Sequence, residues 1–540
     1  MDKADAFIEI LKREKAFSSI KKSEKERAYF ITFKYNKKFE FTYIILKDID
    51  YDYTAYMPYV VVNNDSDDSP HFLTRPMDLY GKKYKGVCLY EKIMNVFSEK
   101  NFEEKTEFLL SQLIKLLTLS KREREIEFQN EFLYYWNSNA NIDFYPKVFV
   151  DPQNEFESLN YFLKNGTYRV ASKDIVFNDL KQWKLMGNVG FLIKVENKEG
   201  IIPPVNKKWS VREILLILEN PDHDRISSFV YQKLKKIEIR KKKIDLFFSI
   251  PYEENRRLIF GCRIMFKNAG VKSFFEKLQT DVESLNIFRS SREDFSYLNE
   301  CIGNKDSRKR VGIVGLGSLG SYVAKELVNS GVRTEFLFDD DKLQSENLFR
   351  HSLNYVYEGY SKSKCLKYCL ENMHPEVNVE GFNMKINSKN VKSIVEINKI
   401  DTLVFCIGST DEQMDLSQAL RGLKGLCTVI FSWLEEGGRV GYTLTIPQNS
   451  NGCYKCLKEK ANIIFPYKTE KKVNSWLKNG CGAVRTKYGN RTLLTATNGF
   501  LYAFEKSKQR EEPYIVSSDI EEGIKEHKLI SNGCEYCDTL

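Results

Sequence analysis

The C-terminal half of this 540-residue chain predicts an α/β fold built on a parallel sheet, preceded by an α+β domain and a mixed linking domain. Three changes of texture predict it. Residues 1–140 carry short alternating stretches (AYFITFKY, FEFTYIIL, YMPYVVVN) followed by a long helical pattern, FLLSQLIKLLTLSKREREIEFQNEFLYYW, which reads as a β meander and helices. Residues 141–285 alternate apolar stretches (VGFLIKVEN, IDLFFSI, RRLIFGCRIMF) with turns such as PQN, NGT and IIPP, and hold no chemistry-bearing motif. From 286 to 540 the order becomes strand, glycine-rich turn, helix, strand, the signature of α/β architecture. The length suits two to four domains.

Composition narrows the function classes. No apolar run reaches membrane-spanning length, and the opening MDKADAFIEILKREKAF lacks the apolar core and cleavage site of a secretory leader, so the expected location is cytoplasmic. Lys+Arg 83 against Asp+Glu 74 leaves a net charge of +9. The basic residues are scattered rather than gathered on one face, which argues against nucleic acid as a partner. Twelve cysteines in such a compartment point to metal ligation or thiol chemistry before disulfides.

The segment RVGIVGLGSLGSYVAKELVNSGVRTEFLFDDD is a complete βαβ unit. An apolar strand, Val311–Val314, runs into Gly315, Gly317 and Gly320, and a helix follows. Glycines at 315 and 317 let backbone N–H groups approach a phosphate, Gly320 lets the helix pack closely, and the helix N-terminus favours negative charge. A second strand ends in Asp339, placed to hold a ribose hydroxyl. This much fits NAD as well as ATP.

The residues that follow separate the two. Asp339-Asp340-Asp341, then Asn347-Leu348-Phe349-Arg350-His351, then Ser361-Lys362-Ser363-Lys364, His374-Pro375 and a strand leading to Asp411 together resemble the ThiF/MoeB family, the Rossmann-like adenylating fold shared with ubiquitin-activating enzymes. The resemblance implies ATP and Mg²⁺, with an acyl-adenylate formed from a carboxylate. It implies Arg350 and Lys362 as the cations that stabilise charge on the phosphates. Asn347 seats the phosphates, Asp339 and Asp341 belong to the nucleotide-binding acid run, and Asp411 partners Mg²⁺. Lys364 is an alternative to Lys362, and Arg289 or Arg292 in FRSSREDF would be a further arginine for the triphosphate.

Two near-identical turns, Asn451-Gly452-Cys453-Tyr454-Lys455-Cys456 and Asn532-Gly533-Cys534-Glu535-Tyr536-Cys537, supply four thiolates. Two C-x-x-C turns complete a tetrahedral Zn²⁺ site with no open position, so the metal is expected to be structural. Between them, Cys481 lies in a polar stretch flanked by Gly480 and Gly482, with Lys478 and Arg485 nearby. Cations and exposure raise thiolate character, and the family resemblance makes it the thioester-forming cysteine. Cys262, Cys301, Cys365, Cys369, Cys406 and Cys427 mostly fall in apolar patterns and read as small core residues.

At the N-terminus, Pro58 after the meander, His71-Phe72 and Gly86-Val87-Cys88-Leu89 resemble a ubiquitin-conjugating domain, with Cys88 as its thioester carrier. The asparagine that such domains place after the histidine is missing. In order, the three parts resemble bacterial fusions of a ubiquitin-conjugating-like domain with a ThiF-type adenylation domain, found in antiphage operons of the CBASS type. That resemblance implies a dimeric ligase that primes the C-terminus of a cGAS-like nucleotidyltransferase, with the acceptor amine unspecified. A sulfur-carrier adenylyltransferase of the ThiF/MoeB kind and a scaffold with an inactive conjugating domain are the competing readings.

Overall fold

The computed structural model describes residues 9, 12–13, 17–23, 28–35, 39–46, 59–63, 69–79, 81–89, 102–173, 175, 177–205, 208–219, 225–252, 256–435, 438–459, 475–477, 484–486, 488–529 and 534–537. The chain packs as two compact units, Met1–Lys173 with Lys184–Arg292, and Asp174–Trp183 with Glu293–Leu540.

In the first unit, alternating apolar residues make a six-stranded antiparallel sheet. Its order is Phe17–Ser23, Ala28–Tyr35, Phe39–Leu46, Tyr59–Asn63, Lys82–Gly86 and Met77–Leu79. The helical pattern after it, expected as helices, forms three: Phe102–Thr118, Lys121–Asn130 and Phe132–Ser138. The first break is local chemistry. The Ser120 side chain caps the N-terminus of the second helix while the Glu123 carboxylate accepts from the Ser120 N–H at 2.7 Å, a capping box that starts a new helix. The third helix, assigned from sequence to residues 1–140, buries Phe132 and Trp136 in the core of the next sheet, and Trp136 Nε1 donates to the Gly261 carbonyl at 3.2 Å.

That second sheet has eight strands, in the order Val282–Phe288, Arg257–Phe266, Lys243–Pro251, Lys184–Lys194, Phe156–Lys164, Thr167–Ser172, Lys147–Phe149 and Ser291–Arg292. It is mixed, since Lys184–Lys194 runs parallel to Lys243–Pro251 and antiparallel to Phe156–Lys164. The run from Ile244 to Ile250 is fully buried, as befits a strand covered on both faces, which needs no polar alternation.

The second unit is Rossmann-like. Its sheet runs Asn378–Phe382, Val332–Phe338, Ser307–Val314, Thr402–Phe405, Thr428–Leu434, then Val440–Ile446, Tyr514–Asp519 and Gly523–Lys528. The first five strands are parallel and the last three antiparallel. Chain order therefore reverses between Ser307–Val314 and Thr402–Phe405, and ligands bind beyond the carboxyl ends of strands at such a switch point. Apolar clusters cover both faces. An arm, residues 174–183, completes the unit: the Asn178 side-chain amide donates to the carbonyls of Glu371 (2.5 Å), His374 (3.1 Å) and Val377 (3.1 Å). Among the described residues, no helix is long and apolar enough to cross a membrane.

Candidate active site

The glycine turn sits at the switch point. Strand Ser307–Val314 ends at Gly315, whose φ of +84° is open to glycine at little cost. A Cβ there would lie 2.9 Å from the Cys406 carbonyl of the neighbouring strand's loop. Gly320, in the first turns of helix Ser318–Asn329, is more constrained still: a Cβ would fall 1.9 Å from the Gly315 carbonyl oxygen. Gly317 differs from both. Its φ is an ordinary −72° and a Cβ would meet nothing within 4 Å, so its face is open space at the helix N-terminus, the position a phosphate approaches.

Asp339 closes the turn from the side. Its Oδ2 accepts from the Leu316 N–H at 2.6 Å and its Oδ1 from the Asp341 N–H at 2.8 Å. Burial raises its pKa, opposed first by the Lys362 cation and then by these two N–H groups. Lys362, buried at the start of helix Lys362–Glu371, places Nζ 2.8 Å from Asp341 Oδ2 and 4.0 Å from Asp339 Oδ1. Lys364 is exposed on the same helix. The cation facing the acid run is thus Lys362.

The N-L-F-R-H segment forms a 3₁₀ turn, Ser345–Arg350. Asn347 spends its carbonyl oxygen on the Gln344 N–H at 3.0 Å. The Arg350 guanidinium stands 5.4 Å from the Tyr488 ring centroid. His351, which sequence reading did not single out, is buried. Its Nδ1 accepts from the Leu353 N–H at 3.0 Å, so Nε2 carries the proton and donates to the Leu316 carbonyl at 2.8 Å. Burial pushes its pKa down to about 4, leaving a neutral strut that fixes the turn between Gly315 and Gly317. Its only sequence signal is that it follows Arg350 directly.

Asp411 is exposed in the first turn of helix Thr410–Gln418, which follows strand Thr402–Phe405 across the switch point. The carboxylates that approach one another within 4.8 Å are those of Asp339, Asp340 and Asp341; Asp411 is outside that group. Arg289 and Arg292 belong to the first unit, where they donate to the carbonyls of Asn137 (3.1 Å) and Arg257 (3.2 Å).

The four cysteines converge. Sγ separations are 3.7 Å (Cys453–Cys456), 3.5 Å (Cys453–Cys534), 3.6 Å (Cys456–Cys537) and 3.8 Å (Cys534–Cys537). A tetrahedron with Zn–S of about 2.3 Å has edges of about 3.8 Å, whereas a disulfide needs about 2.05 Å. The donor set fits a tetrahedral thiolate metal. Of the cysteines expected in the core, Cys262 and Cys427 are buried, Cys365, Cys369 and Cys406 are partly so, and Cys301 is exposed because it ends the short helix Phe295–Cys301.

Cys88 is exposed just beyond strand Lys82–Gly86, and its N–H donates to the His71 carbonyl at 2.9 Å. Cys481, with its neighbours Lys478, Gly480 and Gly482, lies outside the described residues, as do Pro58 and Asn532-Gly533.

The site and fold define a Rossmann-like nucleotide-binding domain, and the ThiF family profile matches residues 301–489, the stretch holding the glycine turn, Asp339, Arg350, Lys362 and Asp411. Among curated relatives, the ATP-dependent ubiquitin transferase-like protein Cap2 of Enterobacter hormaechei subsp. hoffmannii is 28% identical over 130 residues, 24% of this chain and 22% of that protein. Ubiquitin-like modifier-activating enzyme 5 of Caenorhabditis elegans is 25% identical over 197 residues, covering 34% of this chain and 45% of the enzyme. The matches thus span about a fifth to under half of the relatives' lengths. A crystal structure of E. coli MccB with AMPCPP and MccA is similar over 43% of this chain and 67% of that one, at 18% identity and a TM-score of 0.32.

Proposed function

We propose that the chain is a ubiquitin-activating/conjugating-like ligase with adenylyltransferase activity. In this reading it joins ATP to a protein C-terminal carboxylate, captures the acyl group on Cys481, passes it to Cys88 and ligates it to an amine. The observation that carries this is the convergence of an open glycine turn, the Asp339 carboxylate, 9% exposed, and the buried Lys362 ammonium at one switch point.

Attack of the carboxylate on the α-phosphorus builds negative charge on the phosphate oxygens. The Gly315 N–H is spent on the Phe338 carbonyl at 2.9 Å, so the N–H dipoles come from Gly317 and the helix N-terminus, while Lys362 and Arg350 supply cations in a partly dry site, where fixed charge is worth most. Asp339 is held rigid by two N–H groups, as a ribose ligand must be. Asn347 borders the phosphates. Mg²⁺, held with Asp411, would offset phosphate charge. Zn²⁺ on Cys453, Cys456, Cys534 and Cys537 would tie together the two ends of the sequence segment that contains Cys481, and Tyr488, seven residues after Cys481 in sequence, stands beside Arg350. Carrying Cys481 and Cys88 on one chain raises the effective concentration for transfer.

The similarity to a ubiquitin transferase-like relative supports a protein as the carboxylate donor. The whole-chain resemblance favours the C-terminus of a cGAS-like nucleotidyltransferase in CBASS antiphage defence, in the cytoplasm. The exposed Phe349, Tyr355, Val356 and Tyr360 beside the site suit a homodimer. The test is ATP–pyrophosphate exchange with candidate protein tails. Exchange should require the tail and survive Cys481→Ala; no exchange with any tail, or nicotinamide dinucleotide in the site, would defeat the reading.

A further inference from the structure

A second cluster of titratable groups surrounds Cys88. His71 has a left-handed backbone, φ +66°, and ties three elements together. Its carbonyl receives the Cys88 N–H at 2.9 Å, and its own N–H donates to the Tyr135 hydroxyl at 2.8 Å. The ring is bracketed by two carboxylates, with Nδ1 3.1 Å from Glu131 Oε1 and Nε2 3.3 Å from Glu127 Oε2. The hydrogen bond to Glu131 is the largest of the effects that raise the ring's pKa, so both ring nitrogens favour the donor state these contacts need. Glu131 also acts on the neighbouring Tyr135 hydroxyl, whose pKa it helps to raise, so it braces both the ring and the tyrosine that receives the His71 N–H. Glu127 is different. It is a third exposed, and with one oxygen on His71 the other has no hydrogen-bond partner among the described residues. Cys88, His71, Lys115, Glu127 and Glu131 line one cavity of about 270 Å³.

We propose that Glu127, positioned by His71 and Glu131, is the base that deprotonates a primary amine attacking an acyl group on Cys88. This rests on the reading of Cys88 as a thioester carrier. It gives the domain a proton acceptor of its own in the cavity that Cys88 lines. The carboxylate also selects the acceptor class, since an aliphatic ammonium pairs with Glu127 on entry. In the step, Glu127 accepts one proton from the ammonium and the nitrogen lone pair forms the C–N bond. The C–S bond then breaks with its electron pair on Sγ, the Glu127 carboxyl returns its proton to that sulfur, and the second ammonium proton leaves to solvent as the amide forms.

The experiment uses the full chain with Cys481→Ala, acylated at Cys88 by a synthetic glycyl-peptide thioester, so that neither ATP nor the unknown donor enters. Glu127→Gln should load as the parent does but discharge onto free lysine on the order of 10²-fold more slowly. Discharge onto hydroxylamine, already unprotonated at neutral pH, should be unchanged, and Glu127→Asp should recover part of the lysine rate. Lysine discharge within twofold of the parent overturns the proposal, as does an equal loss with both nucleophiles. Failure of the parent to load at Cys88 overturns this step and the Cys88 stage of the relay, while leaving adenylation to be judged by pyrophosphate exchange.

Discussion

Two alanines in one turn should have opposite signatures. At Gly320 the added Cβ falls 1.9 Å from the Gly315 carbonyl oxygen, where ordinary contact begins near 3.4 Å, so helix and turn must separate by about 1.5 Å in a packed region. Overpacking of this kind costs roughly 1–3 kcal/mol and often more, against about 1 kcal/mol gained by replacing glycine inside a helix. A net loss of about 2 kcal/mol lowers the melting temperature of a unit this size by about 4–8 °C. At Gly317 the Cβ meets nothing within 4 Å and φ is −72°. Alanine there costs at most about 1 kcal/mol as a poorer N-cap, yet its methyl occupies the space a phosphate must enter. Gly317→Ala should therefore melt within about 3 °C of the parent while KM for ATP in pyrophosphate exchange rises about tenfold or more. Differential scanning calorimetry and exchange kinetics on both variants decide the matter. Unchanged ATP kinetics in Gly317→Ala would refute phosphate passage over that residue, and an unshifted Gly320→Ala would refute the steric argument.

Lys362→Met should reduce exchange about 100-fold or more, whereas Lys364→Met, on the exposed face, should stay within about twofold; equal losses would place the phosphate cation elsewhere. Metal analysis should find one zinc per chain, with Cys456→Ser losing it and melting lower; a full-length chain free of zinc would remove the clip. Glu335 is buried with neither oxygen hydrogen-bonded, and burial holds its pKa well above the usual carboxylate range. The unfolded chain ionises first, so this residue subtracts about 1.4 kcal/mol per pH unit as pH rises from the unfolded value toward the folded one. Glu335→Gln should flatten that fall in urea titrations above pH 5, and an unchanged slope would contradict it. His351 works in the other direction. With its folded pKa depressed to about 4, the unfolded chain gains the proton first on acidification, and about 3 kcal/mol of stability is lost between about pH 6.5 and 4. His351→Gln should abolish that acid loss, and its persistence would show that the ring is not the group responsible.

The parts of the site that lie along the chain were readable from it. Gly315 to Gly320 and Asp339 are joined by one βαβ unit whose period and glycine spacing are local properties, and the paired C-x-x-C turns announce their convergence by being copies. What could not be read is convergence without a motif. His351 acts on Leu316 across 35 positions, and Glu127 and Glu131 sit in KREREIEFQNE, where alternating charge reads as a solvated helix face. Nothing local marks them as neighbours of His71. The break before Lys121 is local, because Ser120 and Glu123 have the spacing of a capping box. The parallel pairing of Lys184–Lys194 with Lys243–Pro251 depends on a crossover, which apolar runs alone do not specify.

The arm at 174–183 carries a consequence for how the protein is made. Asn178 leaves the ribosome 193 residues ahead of Glu371, the first carbonyl it binds. At translation speeds of about 5–20 residues per second the gap lasts roughly 10–40 s. Through that interval the strands on either side of the arm can already pair with Phe156–Lys164, which lies between them, while the arm itself waits as a tether for a sheet not yet synthesised. A fragment begun at Glu293 would never receive it, and the carbonyls of Glu371, His374 and Val377 would have to find water instead. Cutting the gene once cannot give two whole folding units.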